Sequence, residues 1–266
     1  VVWNGTTYTQ SGTYSYSGST SNNNYLDFNA NGEYIELNSS IGITGAYSIE
    51  ASLHFPLIQP NGNCGLSHNV IASGEAGTAR HFLSFIDGRY LAVYLAGSGG
   101  NSSNGNGWWA SGYDATSSGL SGWHNISVVS DGSTSNFFVD GVFVGSVSYS
   151  VSGNLKYLGN YDPTYNGGCE WAGKIGEIKL WNYQINPNEI NCCNCQTQSL
   201  HAYWEFDEGN GVIVNDQINN YNGTINGSVS WNNILNICPL TNANGCDSTA
   251  TLNLTINNSV TTSNNV

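Results

Sequence analysis

Residues 122–146 read GWHNISVVSDGSTSNFFVDGVFVGS. His124, Ile126 and Val128 alternate with Asn125, Ser127 and Val129, the two-residue period of a strand that rests one face on a core. Asp131-Gly132 interrupts the run, Phe137 to Val139 resume it, and Asp140-Gly141 turns it again before Val142 to Val144. Asp-Gly between apolar runs signals a hairpin, because Gly tolerates φ > 0 and Asp often does. The stretch is an antiparallel meander. With 33 Gly and 16 Tyr among 266 residues, and no long helical stripe, the whole chain suits short strands and frequent turns.

The same signals continue on both sides. Upstream, YLDFNANGEYIEL (25–37) gives two short strands around Asn31-Gly32, and AYSIEASLHF (46–55) alternates Tyr47, Ile49, Ala51 and Leu53. Val70 to Ser73, His81 to Ile86 and Tyr90 to Ala96 read as further strands. Gly97 to Gly119 reads as a long glycine-rich loop carrying Trp108, Trp109 and Tyr113. Downstream, Leu155 to Gly159 is a strand, and GKIGEIKLW (173–181) is another with Gly176 as a bulge. INPNEI (185–190) is a short helical turn with Asn186 as N-cap and Pro187 at its first position.

Charged residues make up only 9% of the chain, and the net charge of −13 reflects just five basic residues, Arg80, Arg89, Lys156, Lys174 and Lys179. A nucleic-acid partner needs a cationic footprint that these cannot supply. Free carboxylates leave room for a hard cation such as calcium. No apolar run reaches the ~18–20 residues of a membrane helix. The chain has no methionine and opens Val-Val-Trp-Asn, which reads as a processed product or a piece of a longer protein. The cysteines are Cys64, Cys169, Cys192, Cys193, Cys195, Cys238 and Cys246. Cys-Cys-Asn-Cys lacks zinc-knuckle spacing, so disulfides in an oxidising compartment are the expectation, with one thiol left over. Cys64 and Cys169 both sit in Asn/Gly loops and are candidates to pair.

Two resemblances organise these pieces. WNGTTYTQSGTYSYS (3–17) and GCDSTATLNLTINNS (245–259) resemble the opening and closing halves of the Ig-like tandem repeats of very large bacterial surface adhesins. That implies a small β-sandwich built by the two chain ends and split by an insertion. The repeat's usual opening cysteine is missing here, which leaves Cys238 as the nearest candidate partner for Cys246. LDFNANGEYIEL, YSIEASLHF, the 122–146 meander and above all GKIGEIKLWNYQINPNEI resemble the laminin-G-like, concanavalin-type jelly roll related to pentraxins. This implies two antiparallel sheets face to face, with a concave ligand face. AYWEFDEGNGVIVNDQINNYNGTINGSVSW (202–231) resembles a segment that trails such jelly rolls. It implies added strands and a disulfide from one of Cys192, Cys193 and Cys195 to Cys238.

Candidate chemistry is sparse. Glu205, Asp207 and Glu208 have the wrong parity for the alternating acids of a glucanase, so a turn-capping role is the better reading. The histidines His54, His68, His81, His124 and His201 are scattered and read as core or edge residues. The pentraxin resemblance implies calcium ligands at Asn160 and Asp162. Asp216, Asn219 and Asn222 form a second candidate set, because Asp-x-x-Asn-x-x-Asn offers hard oxygens at turn spacing. The alternative for both is an Asx-turn network that satisfies the loop backbone. Trp108, Trp109, Tyr113, Tyr161 and Tyr165, set among Ser, Asn and Gly, are the candidate sugar-stacking residues.

The expectation is therefore an all-β protein: a two-sheet antiparallel jelly-roll sandwich plus a small Ig-like sandwich. Residues 1–23 and 237–258 would form the split repeat, 24–236 the jelly roll with a strand extension over 192–236, and 259–266 a linker. The expected role is a non-enzymatic extracellular or cell-surface module for adhesion or glycan recognition, its partner a glycan or a cell-surface protein, with calcium as a candidate ion. The competing readings are a structural unit of a long filament, made of identical copies head to tail, and a degenerate glycoside hydrolase.

Overall fold

The computed structural model describes residues 2–3, 6–7, 12–16, 22–30, 32–57, 67–102, 106–160, 169–170, 172–187, 190, 200–235 and 250–254. The chain divides into two compact units, one of residues 1–21 with 238–266, the other of residues 22–237. In the smaller unit β1 (Val2–Trp3) and β2 (Thr6–Thr7) pair antiparallel. Strand β3 (Gly12–Tyr16) pairs instead with the last strand, β21 (Ala250–Leu254), placing Tyr14 opposite Leu252.

The larger unit is all-β, a sandwich of two antiparallel sheets as expected of a jelly roll. Its strands up to the meander are β4 (Asn22–Phe28), β5 (Tyr34–Ile43), β6 (Tyr47–Phe55), β7 (Ser67–Gly74), β8 (Arg80–Ile86), β9 (Tyr90–Leu95) and β10 (Trp108–Asp114). The meander is β11 (Gly122–Ser130), β12 (Ser135–Val139) and β13 (Val142–Val147). Then follow β14 (Gly153–Leu158), β15 (Cys169–Glu170), β16 (Gly173–Trp181), β17 (Ala202–Trp204), β18 (Ile213–Val214), β19 (Gly223–Asn226) and β20 (Ser230–Leu235). Among the described residues, the first sheet runs β10-β9-β8-β7-β14-β5-β19-β18, with β15 beside β7. The second runs β13-β12-β11-β6-β16-β4-β20, with β17 beside β16.

The meander forms for the reasons its sequence gives. Asp140 and Gly141 both adopt positive φ, 50° and 76°, so two residues suffice to join β12 to β13. At the other turn Asp131 Oδ1 accepts N–H bonds from Ser133 and Thr134, and these hold its carboxyl below the usual range. Gly176 is a bulge, since the β16–β6 register shifts between Ile175 and Glu177. The two strands flanking Asn31-Gly32 do not pair with each other. Strand β4 lies in the second sheet and β5 in the first, with Glu33 Oε2 accepting from Asn29 and Ala30 N–H where the chain crosses.

The core lies between the sheets and includes Phe28, Leu37, Tyr47, Leu53, Phe82, Phe85, Ile126, Phe137, Ile178 and Trp204. Burying each such side chain stabilises by about 1.5–3 kcal/mol. Residues 200–235 contribute to both sheets, with β17 and β20 in the second and β18 and β19 in the first.

Candidate functional site

Strand alternation gives the second sheet an outer face as well defined as its core face. Tyr47, Ile49, Ala51, Leu53 and Phe55 of β6 point into the core, so Ser48, Glu50, Ser52 and His54 point outward. The register sets their neighbours. His54 lies opposite Trp123, and Ser52 opposite Asn125 on one side and Glu177 on the other. Glu50 lies between Ser127 and Lys179, and Lys179 opposite Tyr203. Lys174 faces Asp27 across β16 and β4.

This face has three zones. One end is a second apolar cluster of Val129, Phe138, Trp181, Ile185, Ile190 and Leu200. The middle is a polar network. Lys179 Nζ donates to Glu177 Oε1 at 2.8 Å and to Glu50 Oε1 at 3.4 Å, and Tyr203 Oη donates to Glu177 Oε2 at 2.8 Å. Burial would lower the Lys179 pKa, but attraction to Glu177 and Glu50 outweighs it and raises the value. Nearby, burial and the charges of Asp207 and Glu177 push the Glu205 carboxyl up.

The far end is half-buried and aromatic. Trp123 meets Tyr25 edge to face at 5.3 Å between centroids and meets His54 at 5.3 Å. Lys174 Nζ stands 5.6 Å from the centre of the Tyr25 ring. Burial first, then Lys174, lowers the His54 pKa, so the ring is neutral at pH 7. Among the described residues Asp27 Oδ1 is buried with no hydrogen-bond partner. The other basic residues are engaged: Arg89 with Asp114, Lys156 with Glu36, Lys179 with Glu50 and Glu177, and Arg80 with the Ser152 carbonyl. Among the described residues Lys174 has the Tyr25 ring and no ion pair. Half-buried rings set edge to face, beside an amine with no ion pair and a partly buried carboxylate, suit a ligand with an apolar face and hydroxyl edges. The sequence reading made none of these five residues a candidate ligand contact, and placed His54 in a core or edge role. The signal was there, as polar and aromatic residues at the alternate positions of strands already assigned.

Three of the residues expected to stack on sugar, Trp108, Trp109 and Tyr113, sit elsewhere, and the reading of 97–119 as one loop is corrected. Trp108, Trp109 and Tyr113 belong to β10, paired with β9. Trp108 is 5% exposed and packs with Ile86 and Ala92. The rings of His68, Tyr94 and His81 lie 4.5, 4.5 and 5.2 Å from it. No ring face is left for a sugar. Trp109 stacks on Tyr149 at 4.7 Å and donates Nε1–H to Ser98. Tyr113 donates its hydroxyl to Ser118. Tyr161 and Tyr165 lie outside the described residues. The acids after β17 do not continue a strand. The strand ends at Trp204, Phe206 takes φ 55°, and Glu208 accepts from Asn215 N and Nδ2.

The Asp216 set forms an Asx network. Its carboxylate accepts backbone N–H bonds from Tyr203, Ile218, Asn219 and Tyr221. Asn222 Oδ1 accepts from Asp216 N, and Asn219 Nδ2 donates to the His201 carbonyl. With its oxygens turned to the backbone, this set does not fit a calcium ion. Asn160 is buried, donates Nδ2–H to the Glu33 carbonyl, and its own carbonyl accepts from Ser73. Asp162 lies outside the described residues. So do Cys64, Cys192, Cys193, Cys195, Cys238 and Cys246, while Cys169 is described only through its backbone on β15.

Known proteins match this architecture. A Bacteroides ovatus protein provisionally classed as carbohydrate-binding superposes with a TM-score of 0.55 at 15% identity, over 80% of this chain and 60% of that one. The chain therefore spans less than two thirds of that relative's length. A heptameric SAP-like pentraxin from Limulus polyphemus gives 0.48 at 11% identity, over 84% of this chain and 100% of that one. A Trypanosoma rangeli sialidase in complex with sialic acid gives 0.40 at 12% identity, over 62% of this chain and 26% of that one. At these identities the likeness concerns the fold. A search of curated protein sequences finds no match. The model of the Concanavalin A-like lectin/glucanases superfamily matches residues 29–191, more than half of the 266. The chain belongs to the concanavalin A-like lectin/glucanases superfamily, in its laminin-G branch.

Proposed function

We propose that this chain is a non-catalytic extracellular recognition module that binds glycan on the outer face of the second sheet. The observation that carries the reading is the half-exposed shelf of Trp123, Tyr25 and His54, with Lys174 and Asp27 beside it. An aromatic ring packs against the apolar face of a pyranose, while a flanking amine and carboxylate bind its hydroxyl edge. The lectin-like fold, shared with a protein classed as carbohydrate-binding, agrees with this reading. Glu50 and Glu177 argue against hydrolysis, since both are bonded to Lys179 and neither is a free acid or base. A glycan array probed with the full chain and with Trp123→Ala tests the proposal. Binding that the substitution abolishes supports it, and binding that survives refutes it. Calcium would act through the loop after Asn160, and the same array in EDTA reads that requirement.

A second reading concerns the chain ends. The pairing of Tyr14 with Leu252 joins segments from opposite ends of the sequence, which favours an Ig-like repeat split by the jelly roll. Such a unit would let the module serve as one link of a surface filament, displaying the lectin-like body as it repeats. Isolated chains assembling head to tail in sedimentation experiments would support this, and a concentration-independent monomer would count against it.

A further inference from the structure

Asp27 and Lys174 stand opposite each other on adjacent strands, yet among the described residues they form no ion pair. Each keeps unmet capacity. Asp27 is partly exposed, and among the described residues its enclosed Oδ1 has no donor, which is unfavourable until the carboxylate turns outward to meet one. Lys174 presents three N–H donors with only a ring face for company. The shelf of Tyr25 and Trp123 adjoins both.

We propose that this pair makes the face selective for uncharged, hydroxyl-rich sugars, with adjacent ring hydroxyls bridging Lys174 and Asp27, and that it rejects acidic ones. The inference rests on the glycan-binding reading above. A hydroxyl accepts from Lys174 and donates to Asp27, so two neighbouring hydroxyls satisfy both groups at once. The carboxylate or sulfate group of an acidic sugar can only accept. It would engage Lys174, leave Asp27 without a donor and meet a like charge there. The surroundings add to that repulsion. Lys179, the other cation on this face, is already committed to Glu50 and Glu177 and so cannot offset it. The chain as a whole carries −13, a field that disfavours anionic ligands at long range. An amino sugar's ammonium can only donate, so it would serve Asp27 and oppose Lys174.

The test sets the full chain against two probe groups. Maltoheptaose, cellohexaose and oligosaccharides of galactan and mannan are neutral; polygalacturonate, heparin and 3′-sialyllactose are acidic. Binding is measured for the wild type and for Trp123→Ala, Asp27→Asn and Lys174→Met. The expected result is binding confined to neutral probes and weakened about tenfold or more in both Asp27→Asn and Lys174→Met, as befits loss of a charge-assisted hydrogen bond. Lys174→Met removes no hydrogen bond within the described protein, so it decides the matter even if Asp27→Asn disturbs folding. Preference for an acidic probe, abolished in Lys174→Met, would overturn the selectivity and leave glycan binding standing. Neutral binding unchanged in both variants would overturn the role of the pair. Failure to bind any probe, or binding indifferent to Trp123→Ala, would remove the platform and this inference together.

Discussion

Lys179 Nζ lies 3.4 Å from Glu50 Oε1, with the two side chains 10% and 2% exposed, on the face of the sheet turned away from the core. A pair so enclosed is held by mutual attraction, and removing one member strands the other. Lys179→Met is expected to destabilise by about 3–5 kcal/mol in urea unfolding, because Glu50 and Glu177 would lose their shared cation. The double variant Lys179→Met/Glu50→Leu should lose less than the single one. Equal or larger loss in the double would mean that the pair is not what holds this region.

Two tryptophans should behave oppositely. Trp108 is 5% exposed inside a cluster with Ile86 and Ala92, so Trp108→Ala should cost about 3–5 kcal/mol of stability. Trp123 is half-buried on the proposed binding shelf, so Trp123→Ala should lower stability far less while removing glycan binding. A stable Trp108→Ala protein that no longer binds would return the site to β10.

Acid should weaken the fold in a window set by histidine. Burial pushes the His81 pKa well below 6.5, with the nearby His68 adding to the effect, and burial also lowers His68 despite the attraction of Asp87. Below about pH 6.5 the unfolded chain takes up protons that the folded chain refuses, so stability falls as pH drops toward the folded values. Each buried imidazole contributes a slope of up to about 1.4 kcal/mol per pH unit. Asp114, held low by its bond to Arg89, and Asp131 lose their contributions only at lower pH, below about 4. Glu205, pushed up by burial, works in the opposite sense and flattens the slope. Urea midpoints at pH 7, 6 and 5 should fall for the wild type, and fall less for His81→Phe. Parallel pH curves for the two proteins would contradict the assignment.

Asp216 should prove structural. Its carboxylate terminates backbone N–H groups of Tyr203, Ile218, Asn219 and Tyr221, so Asp216→Ala should destabilise by at least about 2 kcal/mol. Any thermal shift on adding calcium should be the same in the wild type and in Asp216→Ala. A shift present in the wild type and lost in the variant would make Asp216 a ligand after all.

Local chemistry explains why much of the fold was legible. Asp140-Gly141 can turn a chain in two residues wherever it occurs, and the alternation of Ile126 and Val128 sets which side of β11 meets the core. Gly176 could be read as a bulge because a glycine inside a strand pattern often marks one. Trp108 was misread for the same local reason. Its neighbours are Gly, Ser and Asn, which look like a loop, while the partners that make it a buried strand residue, Tyr94 on the paired strand and His68 and His81 on strands farther back, come from outside its own segment.

The binding shelf shows the same division. Sequence periodicity determined that this chain is a two-sheet β-sandwich, since a period of two and Gly-bearing turns are properties of neighbouring residues. It could not bring Asp27, Lys174 and Trp123 together, because they stand on β4, β16 and β11, three strands from different parts of the chain. Which strands become neighbours, and which polar side chains share a face, is fixed by long-range pairing and core burial; tertiary structure alone decides that.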